Sequence, residues 1–174
     1  MAHVSLIPLD ALSFVGDNDA QLVAGDVAAI HGVPGKGRPV LIFDDTAENA
    51  ALTPELIMPG QYAGGTLVAT VTFFMASDNT GDIALDVYVE AVTPGTDTLD
   101  MNSATSWDTA NSATVSVSGS TAGDPLTLAI TLTNKDSVAA SDVFRIGIRR
   151  DTDSGDDDAV GDLYITNIDV WEST

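Results

Sequence analysis

Residues 126–132 read Leu-Thr-Leu-Ala-Ile-Thr-Leu, an aliphatic residue at every second position with small or polar ones between. A period of two puts all four aliphatic side chains on one face of an extended strand and none on one face of a helix. The same period returns along most of the chain. In Thr66–Ala76, Leu67, Ala69, Val71, Phe73 and Met75 share one face; in Ile83–Val92, Ile83, Leu85, Val87, Val89 and Ala91 do. In Val143–Arg150, Phe144, Ile146 and Ile148 alternate with Val143, Arg145, Gly147 and Arg149. No 3.6-residue stripe lasts beyond a turn or two, although 20–30 admits a short helix. The period predicts an all-β chain.

Arg38–Phe43 opens the regular part, with Pro39 at a strand start where a missing N–H is tolerated. Asn111–Ser118 reads as an exposed strand. In the last strand the inward parity slips: Leu163 and Ile165 keep one phase, Ile168 and Val170 the other, which a β-bulge near Asn167 would reconcile. The Asp78–Asp82 turn predicts a hairpin joining 66–76 to 83–92, and the acidic stretch 151–162 predicts a second joining 143–150 to 163–172. Seven or eight strands with turns between them point to an antiparallel two-sheet β-sandwich of jelly-roll topology.

Residues 1–37 have a different texture. Short apolar clusters are separated by Asp17-Asn-Asp19 and Gly32-Val-Pro-Gly-Lys-Gly37, too apolar for a disordered tail. They suit an N-terminal arm for attachment or inter-subunit contact, or ordinary first strands, ahead of a body over 38–174. Gly32–Gly37 lacks the Gly-Lys-Ser/Thr order of a phosphate loop.

Charge narrows the partners. Twenty-six acids against six bases give a formal charge of −20, a field that disfavours nucleic acid and anionic membrane alike. No apolar run is long enough for a membrane span, and the N-terminus lacks the basic and apolar regions of a signal peptide. Without cysteine, zinc–thiolate sites and thiol nucleophiles are excluded.

Chemistry-bearing candidates are few. Asp151, Asp153, Asp156, Asp157, Asp158 and Asp162 offer oxygen ligands for Ca²⁺, which takes six to eight. Counted from Asp151 the stretch fails the EF-hand register, since Gly155 falls at the fifth place and Asp162 at the twelfth. A solvated hairpin tip is the competing reading. The histidines, His3 and His31, lie outside the body, and no Gly-x-Ser-x-Gly elbow occurs. Glu55 and Glu90 qualify for glycoside hydrolysis by residue type alone. A non-enzymatic chain with no cofactor is the expectation. Trp107, Tyr88, Tyr62 and Trp171 would make a sugar-stacking platform if one face gathered them, and the 18-residue polar loop 93–110 that carries Trp107 has the length of a functional loop.

Three stretches resemble small β-sandwich structural proteins of tailed bacteriophages: Arg38-Pro-Val-Leu-Ile-Phe-Asp-Asp-Thr46; Met58-Pro-Gly-Gln-Tyr-Ala-Gly-Gly-Thr66 with Thr80–Ala91; and Asp136–Asp151 through Leu163. The resemblance spans 38–172. It implies a virion component assembled in the host cytoplasm, such as a head decoration protein, head fibre or tail-associated protein. Its implied partners are the major capsid protein or other virion proteins, and a homo-oligomer, with a trimer favoured. The alternative is a carbohydrate-binding sandwich module of a phage tail or fibre.

Overall fold

The structure is a computed structural model, and it describes residues 3–10, 15–17, 21–24, 39–77 and 80–173. Among these there are twelve strands and no helix: β1 (His3–Asp10), β2 (Val15–Asp17), β3 (Gln21–Ala24), β4 (Pro39–Phe43), β5 (Ala50–Leu52), β6 (Leu56–Ile57), β7 (Thr66–Met75), β8 (Asp82–Val92), β9 (Asn111–Ser116), β10 (Leu126–Leu132), β11 (Val143–Arg150) and β12 (Leu163–Ser173). They form two antiparallel sheets facing each other as a sandwich. Sheet A runs β10-β7-β12-β4-β3, with β1 also on β12; sheet B runs β2-β5-β11-β8-β9, with β6 also on β11.

The inward faces are those the period predicts. Leu67, Ala69, Val71, Phe73 and Met75 from β7 meet Ile83, Leu85, Val87 and Val89 from β8 and Phe144, Ile146 and Ile148 from β11 in one core. Burial of these branched and aromatic side chains is the main force holding the sheets together. The parity slip in β12 is a bulge: the register against β7 shifts between Ile165 and Asn167, which returns Ile168 and Val170 to the core.

Both expected hairpins are absent, and this corrects the sequence reading. β7 belongs to sheet A and β8 to sheet B; β11 belongs to sheet B and β12 to sheet A. Each connection arches across the core, which is the jelly-roll habit of alternating sheets. Turn residues dictate that the chain reverses; they do not dictate whether it reverses beside itself or over the core. Of that first turn, Asp78 and Asn79 lie outside the described residues.

The described parts of residues 1–37 are strands of the two sheets. β1 runs along β12 from His3 against Ser173 to Asp10 against Asn167, with Ile7 and Leu9 buried. β2 extends sheet B at β5 and β3 extends sheet A at β4. The segment that admits a short helix is strand at 21–24. Residues 25–38, with His31 and the glycine-rich stretch, lie outside the described residues.

Candidate functional site on the outer face of sheet B

Strand parity sets the site. With Val87, Val89, Ile146 and Ile148 turned inward, Asp86, Tyr88 and Glu90 of β8 and Arg145, Gly147 and Arg149 of β11 must point outward. Antiparallel register then aligns them in rows: Arg145 opposite Glu90, Gly147 opposite Tyr88, Arg149 opposite Asp86. Opposite charges stand side by side at the two outer rows, and a glycine faces an aromatic ring in the middle one.

The loop 93–110 folds back over this face. Just before β9 begins, the Asp108 N–H donates to the Val89 carbonyl at 2.9 Å, and the Ser106 N–H donates to Glu90 Oε1 at 2.6 Å. This delivers the Trp107 ring to Gly147. A β-carbon at Gly147 would lie 3.6 Å from Tyr88 Cβ and 3.7 Å from Trp107 Cη2, so the missing side chain is the space the two aromatic residues share. The Arg145 guanidinium sits over the Trp107 ring at 4.9 Å and that of Arg149 over Tyr88 at 5.9 Å, both within cation–π range.

Each arginine is also ion-paired. Arg145 holds Glu90 through Nε and Nη2. Arg149 meets Asp86 at 2.6 Å, Glu48 at 2.9 Å and Asp151 at 3.6 Å. Ser112 Oγ donates to the other Asp86 oxygen at 2.5 Å. Asp86 and Glu90 are only 3% exposed although both stand on the outer face; the covering loop and the two arginines desolvate them. Burial works against the Arg149 cation, but the Asp86 hydrogen bond and the surrounding charges more than restore it and hold its pKa above the ordinary arginine value. Burial, followed by the Asp151 side chain, pushes the Glu48 carboxyl up. Beside Arg145, residues 101–105 leave a shallow recess of about 320 Å³.

Of the four aromatic residues expected as a platform, two converge. Tyr62 is buried, its hydroxyl donating to the Gly65 carbonyl and accepting from Lys135 Nζ. Trp171 stands on sheet A, its indole N–H donating to Thr70 Oγ1. Glu55 is exposed in the connection between β5 and β6, whereas Glu90 stands on this face opposite Arg145. Asp86, Glu48, Arg145 and Arg149 were not marked as site residues by sequence reasoning. For Asp86, Arg145 and Arg149 the common parity on β8 and β11 was the available signal, and it needed the β8–β11 pairing to become readable; Glu48, between β4 and β5, carried no such signal.

The six loop aspartates are divided among separate partners. Asp151 approaches Arg149, Asp157 is gripped by Arg150, and Asp158 accepts from the Asp82 N–H at 2.7 Å. Asp153 and Asp156 are exposed. Asp162 lies with Asp44 and Asp45, their carboxylate oxygens within 4.8 Å of one another; among the described residues this is the one group of three carboxylates close enough to share a cation. Burial first, and then the charges of Asp44 and Asp45, push the Asp162 carboxyl up.

No family model and no curated protein matches the chain. Solved structures do, at the level of the fold. The CBM22-1 xylan-binding domain of Paenibacillus barcinonensis Xyn10C is similar with a TM-score of 0.50 and 13% identity, over 98% of this chain and 96% of that one. The CBM22-2 xylan-binding domain of the same protein gives 0.51 and 10%, over 97% and 100%. A xylan-binding module, CBM15, gives 0.50 and 17%, over 99% of each chain. These likenesses establish a shared two-sheet sandwich.

Proposed function

We propose that the chain is a carbohydrate-binding module rather than an enzyme, and that its binding face is the outer side of sheet B around Tyr88, Trp107 and Gly147. The observation that carries this reading is the joining of two aromatic rings, two guanidinium groups and four carboxylates on one sheet face. A pyranose offers apolar C–H faces that lie against aromatic rings and a rim of hydroxyls that need charged or polar partners. Tyr88 and Trp107 supply the first; Arg145, Arg149, Glu48 and Asp151 supply the second. The names of the three similar structures, all xylan-binding, lend support from the fold. Against an enzyme, the face offers no free carboxylate pair, since Asp86, Glu90, Glu48 and Asp151 each meet a guanidinium group.

Binding to immobilised glycans, followed by isothermal titration with the best of them, tests this. Trp107→Ala is expected to weaken binding by about 30-fold, the loss of roughly 2 kcal/mol that truncating an aromatic anchor brings. Retention of full affinity in both Trp107→Ala and Tyr88→Ala would move the site elsewhere. The setting we propose is a phage tail or fibre, supported by the resemblance over 38–172. Antibody labelling of particles that stains no tail or fibre removes that setting and leaves the module.

A further inference from the structure

The arginines of the sheet B face are not free to receive an anion. Arg145 is committed to Glu90, and Arg149 to Asp86, Glu48 and Asp151. Four carboxylates thus surround two guanidinium groups. More acid stands behind them: Asp136 donates its N–H to Asp108 and accepts from the Ala91 N–H, one residue from Glu90. The chain as a whole carries −20.

A guanidinium recognises a carboxylate or sulfate through a vacant fork of N–H groups. To open a fork here, an anionic ligand would have to displace Glu48 and Asp151 from the outer edge of Arg149, or else Asp86 or Glu90, each 3% exposed, which would leave a desolvated carboxylate without its partner. It would do so against a field of its own sign. Sugar hydroxyls meet no such barrier. The outer oxygens of Glu48 and Asp151, about a third and a quarter exposed, are open to hydroxyl donors, and the guanidinium edge of Arg149, 27% exposed, is open to a hydroxyl acceptor.

Resting on the glycan-binding reading, we propose that this face selects uncharged glycans and rejects chains bearing uronate or sulfate groups. Selectivity lies in the Glu48–Asp151–Asp86 collar around Arg149, which turns a cationic side chain from an anion receptor into a hydroxyl receptor. Neutralising the outer half of the collar is expected to unmask the receptor.

The test is a matched panel of neutral polysaccharides (a linear xylan, a β-glucan, a mannan) and anionic ones (polygalacturonate, alginate, chondroitin sulfate), at low and moderate salt. The expected result is binding to at least one neutral chain, with every anionic chain about 100-fold weaker or worse. Glu48→Gln with Asp151→Asn, and Asp151→Asn alone, should gain measurable affinity for polygalacturonate. Trp107-dependent binding of an anionic chain by the unaltered protein overturns the selectivity and leaves the glycan-binding reading standing. No gain in either variant overturns the collar as its cause. Binding to no polysaccharide of either kind overturns selectivity and glycan binding together.

Discussion

Arg150 grips Asp157 inside the sandwich: Nη2 meets Oδ1 at 2.8 Å and Nε meets Oδ2 at 3.1 Å, with Arg150 wholly buried. Arg150 takes the inward parity of β11 after Phe144, Ile146 and Ile148, where a cation is affordable only because its other N–H groups donate to the carbonyls of Ala159 and Gly161. The pair clips the arch between β11 and β12 onto the sheet ends. Asp157→Ala strands a buried guanidinium, so a loss of about 3–5 kcal/mol is expected in urea unfolding. The double variant Arg150→Met, Asp157→Ala should recover part of it. A single variant as stable as the parent would remove the clip from the account.

Leu9 tests the standing of the first residues. It is 3% exposed and sits in the core cluster, on a strand that covers the second half of β12. Leu9→Ala should cost about 2–5 kcal/mol, the range for deleting a buried leucine side chain. An element serving attachment alone would show no loss, and thermal unfolding distinguishes the two.

The alternation at β7, β8, β10 and β11 and the bulge before Asn167 were legible because each is a local pattern with a fixed geometric consequence. Sheet membership was not, since Asp78–Asp82 and 151–162 carry turn chemistry that serves an arch as well as a hairpin. The site suffered from the same gap. Asp86 and Glu90 read as ordinary polar-face residues of β8. Only the return of loop 93–110 to Val89 and the pairing with Arg145 and Arg149 reveal them as desolvated partners. Tyr88 and Trp107 were visible by type, and their convergence depended on Gly147, a residue that draws no notice in a strand.

Glu172 illustrates a further long-range clamp. Its carboxylate accepts from the Ala63 and Gly65 N–H groups, the latter at 2.6 Å, and a β-carbon on Gly65 would come within 2.6 Å of Oε1. Gly65→Ala must displace that carboxylate, so about 1–3 kcal/mol should be lost as buried donors go unpaired. Glu172→Gln, which keeps one acceptor, should lose less. Denaturant midpoints of the two variants check the order.

The Asp162 carboxyl is pushed up by burial and by Asp44 and Asp45, so the folded state holds its proton to higher pH than the unfolded chain does. That contribution is fully present below the unfolded value and is lost as pH rises through the folded one. Asp162→Asn removes the repulsion, although it also alters the hydrogen bond with the Asp45 backbone. It should raise the unfolding temperature at pH 7, with the gain shrinking as pH falls through the raised folded value toward the ordinary aspartate value and gone below it. A gain that does not change with pH would assign the effect to something other than charge.

Gly147 separates binding from folding. An added β-carbon meets Tyr88 and Trp107 at ordinary contact distances of 3.6–3.8 Å, so Gly147→Ala should fit. Two further methyl carbons in Gly147→Val have no such room and must lift Trp107 from the sheet. Valine favours strand backbone over glycine by up to about 1 kcal/mol, so the body should stay folded. Gly147→Val is therefore expected to keep its unfolding midpoint while glycan affinity falls by about tenfold or more, with a shifted tryptophan emission reporting the displaced ring. Unchanged affinity in a variant whose emission has shifted would show that Trp107 is not the stacking surface.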